Sequence, residues 1–600
     1  MHDTPPAGLG PRLPRWLLQA RKPNGIQGRG RALVVIALLA VALAGCGGGG
    51  GGGASSSTPA APTLPPLGAG ESAYDDPASY STTANAALPG AVEAAAITRH
   101  TLTLGATTLS YTAEAGHLIA RAPATGAAEA SMFHVSYLAD TTNAAARPVT
   151  FFYNGGPGSA SVWLHLGSFS PVRLVTGVPA TTQAVPFPLV DNQDSLLDTT
   201  DMVFVNAVGT GLSQAIAPYV NASFWGVDSD AALFRDFIVR WLAAHGRAAS
   251  PVFLYGESYG GPRTAVLAGL LQRAGVMPSG LVLQSPALDY NSSCAIGGLV
   301  HCDPFLPSYA AIGAWQGLVL PAPADVGSFM AQMRSVADLQ YAPALAALDA
   351  GTPPAAGLLT LLAADTGITV ANWQSHFDFD PDRFQTSLLP GRITGRYDGR
   401  MTAAVGSALA SEGDPSSTFI TSSFSSVIAS HLRDTLRYGT GSTYVVLSDA
   451  INSWNFSHAG RALPDTVPDL AAALAADPAL RVLLVTGWHD LATPFHLSER
   501  DLARLGAGAR VQTRVYAGGH MSYLDDTTRP QQKADVAAFI QANAHGAAAG
   551  GALALAASRT AAGEAPDRAG TPATVRTAAP LEAAVQAPLR DPWVPPRAAR

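Results

Sequence analysis

The chain has 600 residues, 48% of them apolar, enough for a large core; about 150 residues per domain would allow up to four domains, though α/β domains with insertions run longer. Its 36 basic and 43 acidic residues give a net charge of −7, which supplies no basic surface for nucleic acid. Charged residues are only 13% of the chain, against about 25% in an average domain, and one apolar run near the N-terminus is the sole candidate span, so a multi-span transporter is excluded.

Only Lys22 and Lys533 are lysine, an arginine bias that reads as genomic rather than functional. Basic residues from Arg15 to Arg31 precede an apolar run from Ala32 to Leu43, too short for a comfortable membrane span. The run ends in Leu43-Ala44-Gly45-Cys46, which resembles a bacterial lipobox with Cys46 as the acylated residue. Residues 1–46 are therefore expected to be a lipoprotein-type signal, with an ordinary signal peptide or an uncleaved anchor as alternatives. The long basic stretch leaves room for a translation start downstream of Met1. Glycines 47–53 and a Ser/Thr/Pro/Ala-rich stretch follow, and residues 47–95 are expected to form a tether. The chain would then lie outside the cytoplasm, held at a membrane by lipid alone. Gly47 after the cysteine leans towards an outer membrane.

From about His100 the chain reads as structured. TLTLGATTLSYTAEAG alternates like a hairpin with Gly105 at its turn, and 131–140 and 148–154 read as strands. Strand 201–208, helix 229–246, strand 251–255, helix 261–275 and strand 281–288 follow. That alternation implies an α/β fold with a mostly parallel sheet over 96–288. Residues 289–438 read as a largely helical lid insertion. The α/β pattern resumes over 439–545 with strand 481–487, helix 494–506, strand 510–518 and helix 533–544. Residues 546–600 lack periodicity and are expected to be a disordered tail. Cys294 and Cys302, in a chain expected to leave the cytoplasm, are expected to pair as a disulfide; a metal site with His301 is the weaker alternative.

The strongest chemical signal is Gly256-Glu257-Ser258-Tyr259-Gly260, between a strand and a helix. That is the context of a nucleophile elbow, in which flanking glycines permit the tight turn that lifts the serine hydroxyl off the sheet. Tyr153-Asn154-Gly155-Gly156-Pro157-Gly158 ends an earlier strand, and its loop can turn backbone N–H groups towards a carbonyl oxygen. The oxyanion donors are assigned to Gly156 and Tyr259. The triad order Ser, Asp, His then selects Asp490 after strand 481–487 and His520 after strand 510–518. His489 and His496 compete for the base role but lie beside the acid rather than on a separate loop.

GESYGG, NGGPGSAS (154–161), VGTGLS (208–213), FWGVDSDAALFRDFIVRWL (224–242) and the HD and GGH pairs together resemble the serine carboxypeptidase family, peptidase family ten of the serine class, in a bacterial branch. The resemblance spans roughly 95–545. It implies an α/β-hydrolase fold with a lid, removal of single residues from peptide C-termini, and no metal or organic cofactor. It also implies that Asn154 and Glu257, with Gly155 beside them, bind the substrate's terminal carboxylate, which requires one of the two carboxyl groups to be protonated. The sequence departs from the family pattern at four places: Ser168 stands where many members have a second acid, Phe152 replaces a tryptophan, Ser159 a cysteine and Asn206 an acid. Loss of the acid weakens the case for an acidic optimum. An esterase or acyltransferase on the same triad, and a catalytically silent surface-binding protein, are the rival readings.

Overall fold

The computed structural model describes residues 64–182, 186–296, 300–506 and 508–544. Cys46, the signal segment and the tail from 546 lie outside the described residues. β1 is Tyr74–Asp76, β2 Ala94–Leu104, β3 Thr107–Arg121, β4 Ala128–Ala139, β5 Val149–Tyr153 and β6 Asp201–Val205. β7 is Val252–Glu257, β8 Pro278–Gln284, β9 Tyr438–Thr440, β10 Arg481–Gly487 and β11 Val511–Tyr516. The central sheet runs β11-β10-β8-β7-β5-β6-β4-β3-β2. Its pairs from β11 to β6 are parallel, and β6/β4, β4/β3 and β3/β2 are antiparallel. The mostly parallel sheet is the one expected from the alternation of elements, and its strand order is the α/β-hydrolase arrangement that the resemblance implied.

The parallel strands are apolar without interruption because both faces are covered. Every residue of β5, VTFFY, is buried. Phe151 and Tyr153 face the layer of α1 (Val227–Ala244), α2 (Gly260–Arg273) and α3 (Val467–Ala476). Phe152, Phe253 and Tyr255 face α4 (Arg529–Asn543) on the other side. Helix α4 starts four residues before the expected 533, because Pro530 occupies the first turn, where its missing N–H costs nothing.

Between β8 and β9 run helices from Leu306–Trp315 to Pro415–Ser425 and a short hairpin of Arg392–Thr394 with Thr402–Ala404. This insertion has its own core around Phe305, Tyr309 and Trp373, which also takes in Leu491 from the loop after β10 and Phe495 from the helix Phe495–Ala503 that follows. Cys294 and Cys302 form a disulfide at its entrance. His301 instead lies between Asp349 and Asp378, at 2.9 and 3.0 Å. Among the described residues no cluster of His, Cys, Asp and Glu could hold a metal ion, and no helix is long and apolar enough to cross a membrane.

One boundary differs from the composition reading. Residues 74–95, expected to be tether, belong to the fold: β1 pairs in parallel with β9. Asp76 accepts hydrogen bonds from Tyr438 (2.6 Å) and Tyr80 (2.8 Å) and pairs with His117 at 3.3 Å. Low complexity ends near Gly70, and Tyr74, Asp76 and Tyr80 provide the contacts that offset ordering. Asp76→Ala removes a buried carboxylate that accepts from Tyr80 and Tyr438 and lies against His117. It is expected to lower stability by about 3 kcal/mol; urea unfolding measures this, and an unmoved midpoint would show the segment to be energetically idle.

Candidate active site

The sheet's switch point sets where the site forms. From β5 the chain passes to β6 on one side, then crosses back to β7 on the other, so the carboxyl ends of β5 and β7 border a crevice. Tyr153 and Gly256 are in register there, which brings Asn154 beside Glu257 and Ser258. The backbones approach so closely that side chains are excluded. A Cβ on Gly155 would stand 2.4 Å from the Tyr259 nitrogen, and one on Gly256 would stand 2.3 Å from the Gly260 oxygen.

Ser258 has φ +62°, a left-handed conformation that costs a non-glycine residue of order 1–3 kcal/mol. The turn is held by the Ser258 N–H donating to the Gln284 carbonyl (3.0 Å) and the Gly261 N–H to the Ser258 carbonyl (2.9 Å). Gly156 has φ +98°. The N–H groups of Gly156 and Tyr259 have no acceptor among the described residues and are thus available to a ligand oxygen.

Asp490 and His520 occur on the loops after β10 and β11. The His520 Nδ1 lies 2.8 Å from Asp490 Oδ2, with both residues fully buried. Asp490 Oδ1 accepts the N–H groups of Ala492 (2.7 Å) and Thr493 (3.0 Å). With Nδ1 donating to the carboxylate, Nε2 is left as the acceptor. It is buried and has no hydrogen-bond partner, and it makes no hydrogen bond to the Ser258 hydroxyl. Ser258 and His520 line the same cavity of about 530 Å³. Catalytic hydrogen bonds are often long before substrate binds. Burial opposes protonation of His520, but the Asp490 charge and hydrogen bond and the Glu257 charge outweigh it and hold the imidazole above its usual value.

Glu257 is also buried. Its Oε1 accepts from Asn154 Nδ2 (2.8 Å) and its Oε2 from the Tyr523 hydroxyl (2.6 Å). Burial pushes its carboxyl up to about 7 despite these donors and the nearby His520. Asn154 Oδ1 takes the Leu164 N–H at 3.0 Å, which fixes the amide so that Nδ2 faces Glu257. Gly155 lines the cavity as well, though its close packing against the elbow is what demands a glycine.

The competing histidines are elsewhere. His489 packs edge-on against Trp315, and burial lowers it to about 4; His496 pairs with Asp338 and Glu499. Neither lines the cavity. At the positions that depart from the family pattern, Ser168 turns its hydroxyl back to the Leu164 carbonyl and Phe152 stacks between Phe204 and Tyr255. Asn206 receives the Ser161 N–H and the Tyr444 hydroxyl, and Ser159 lines the cavity. Among the described residues no second acid is hydrogen-bonded to Glu257; the Tyr523 phenol is.

Sequence reasoning missed three contributors. Tyr523 is one. Arg263, with no exposed surface, binds Asp230 of α1 (2.6 Å) and the Asn154 carbonyl (2.7 Å), and lies over the Phe234 ring. Its signal was a lone charge on the otherwise apolar face of α2, opposite an acid on α1. Tyr397 comes from the insertion: its carbonyl accepts the His520 N–H (2.6 Å) and its ring meets the imidazole edge at 5.0 Å. Arg263→Ala leaves Asp230 buried and unpaired, with an expected loss of about 3–5 kcal/mol. Thermal unfolding, read beside the rate of Ser258 labelling by a fluorophosphonate, tests this; wild-type values in both would remove Arg263 from the account.

Residues 105–274 match the model of the serine carboxypeptidase family, a hydrolase family. No curated protein matches the chain. Among solved structures, the chain is similar to a prohormone-processing carboxypeptidase of Saccharomyces cerevisiae, Kex1, at 15% identity over 72% of this chain and 92% of that one, with a TM-score of 0.44. A proline iminopeptidase of Mycobacterium smegmatis matches at 15% identity over 74% of this chain and 98% of its own, TM-score 0.29. A thermophilic esterase of Thermogutta terrifontis matches at 13% over 74% and 99%, TM-score 0.29. The fold assignment rests on the strand order itself.

Proposed function

We propose that this chain, whose residues 105–274 match the serine carboxypeptidase family model, is a serine-type carboxypeptidase that hydrolyses the last peptide bond through an acyl-enzyme on Ser258. The observation that carries the reading is a buried carboxyl, Glu257, held by an amide and a phenol in the cavity of the nucleophile. Ser258 Oγ attacks the scissile carbonyl and gives its proton to His520 Nε2. The carbonyl oxygen becomes an oxyanion facing the N–H groups of Gly156 and Tyr259, and Asp490 stabilises the imidazolium. Collapse of the intermediate passes the proton to the leaving amine and frees the terminal amino acid. Water, activated by His520, then releases the shortened peptide.

In this scheme the free carboxylate meets Asn154 and a protonated Glu257. Two charged carboxylates at that range would repel. The active form therefore carries one proton between Glu257 and His520, on the acid and not the base. Amidating the substrate's C-terminus should reduce kcat/KM about a hundredfold or more, since the buried carboxylate site is left unpaired. Equal rates on acid and amide, both abolished by Ser258→Ala, would favour the esterase reading; no labelling of Ser258 would favour a silent binding protein.

The pH dependence has a definite sign. The single proton of the Glu257 and His520 pair leaves on the alkaline side, so kcat/KM on free-carboxylate peptides falls there. Glu257→Gln cannot lose that proton, and its profile should stay flat on the alkaline side. A decline that persists in Glu257→Gln would assign it to another group.

We also propose an extracytoplasmic location with Cys46 as the lipid-bearing residue. The Cys294–Cys302 disulfide supports it, because such bonds persist in oxidising compartments. Mass spectrometry of the mature N-terminus tests it: a diacylglyceryl mass on Cys46 is expected, and an intact or unmodified N-terminus would overturn it.

A further inference from the structure

The hydroxyl of Thr493 has one proton and two acceptors within reach: the Ser285 carbonyl at 2.8 Å and Asp490 Oδ2 at 2.9 Å. Its oxygen also lies 3.0 Å from His520 Nδ1. Hydrogen-bond accounting decides between the acceptors. Ser285 is fully buried, and its carbonyl has no other donor among the described residues. A buried carbonyl left without a donor carries the full desolvation penalty. Asp490 already has three donors, the N–H groups of Ala492 and Thr493 and the imidazole Nδ1–H. The proton therefore belongs to Ser285, and the lone pairs of the Thr493 oxygen turn towards His520.

We propose that Thr493 is a positioning residue. Its hydroxyl oxygen is a second acceptor for the Nδ1–H of His520, and Ser285 aims it. Nδ1–H then lies between Asp490 Oδ2 and Thr493 Oγ1, which fixes the tautomer and leaves the Nε2 lone pair for the Ser258 proton. Ser285 suits this role because of its backbone. It follows the last residue of β8 with φ +43°, a conformation rarely adopted by a residue with a side chain. The kink turns its carbonyl to Thr493, while its own hydroxyl donates to the His520 carbonyl at 2.8 Å, where Gln284 Nε2 also donates at 3.0 Å. One strand end thus holds the base by its main chain and, through Thr493, by its ring. The contact strengthens as the ring gains charge, so it stabilises imidazolium more than imidazole.

The inference rests on the triad reading, and the test separates the two. Full-length wild type, Thr493→Val and Thr493→Ser are compared on p-nitrophenyl acetate and on a blocked dipeptide, across pH, with thermal unfolding as the control. Thr493→Val should lower kcat about ten- to a hundredfold, the weight of one hydrogen bond to a charged group, with KM little changed. The acid limb of its pH profile should move to lower pH, because the imidazolium has lost an acceptor. Thr493→Ser should restore both. A wild-type kcat in Thr493→Val, a drop with the acid limb unmoved, or a limb moving to higher pH would each overturn the assignment; the last would mean that the hydroxyl serves Asp490 instead. Should Thr493→Val fail to fold, Thr493→Ala reads the same limb. A wild type inert on both substrates, with Ser258 unlabelled by a fluorophosphonate, would instead remove the triad reading beneath it.

Discussion

The site depends on three backbone segments meeting where no side chain fits, and on a buried cation that holds them there. Gly155, Gly256 and the start of α2 touch main chain to main chain, so the elbow cannot relax by swinging aside. Arg263 binds the carbonyl at the end of β5 with one guanidinium nitrogen and the carboxylate of Asp230 with others, which fastens the glycine loop, the elbow helix and α1 together. An ion pair so deep adds little net stability over a well-packed apolar substitute, but it tolerates only one geometry. That selectivity suits a place where Ser258 holds a strained backbone and two N–H groups must remain unpaired.

The base is set from the opposite direction. Among the described residues His520 makes no hydrogen bond to the elbow; its main chain is gripped by Gln284 and Ser285 from one side and by Tyr397 from the insertion on the other. Arg400 binds Asp398, Asp525 and the Ala517 carbonyl, and so clamps the insertion to the loop that carries the imidazole. The insertion is therefore part of the frame around His520. A change in its packing reaches His520 directly through the Tyr397 carbonyl.

Much of this was legible in the sequence because the chemistry sits where regular elements end. The strand, Gly-x-Ser-x-Gly and helix order located Ser258, and the glycine run after 148–154 located the oxyanion loop. The two loops after apolar strands located Asp490 and His520. What stayed hidden has no local signature. Tyr523 reads as any tyrosine in a turn until its hydroxyl is found on Glu257, 266 residues away in sequence. Asp76 and Tyr438 are 362 residues apart, and low-complexity composition upstream masked the first of them. Ser285 looked like the middle of an apolar strand, 281–288; the strand ends at Gln284 because the next residue turns its carbonyl aside.

The seam between Tyr74–Asp76 and Tyr438–Thr440 fixes how short the molecule can be cut. His117 lies within the sheet against Asp76, and the phenols of Tyr80 and Tyr438 converge on the same carboxylate. A trimmed version starting after Asp76 would keep Ser258, Asp490 and His520 yet take from an imidazole and a pair of phenols the carboxylate they share. Protease nicking upstream of Tyr74 would spare that anchor; nicking just downstream would leave it held by one short run of pairing. The arm that precedes the catalytic body is thus also its fastening.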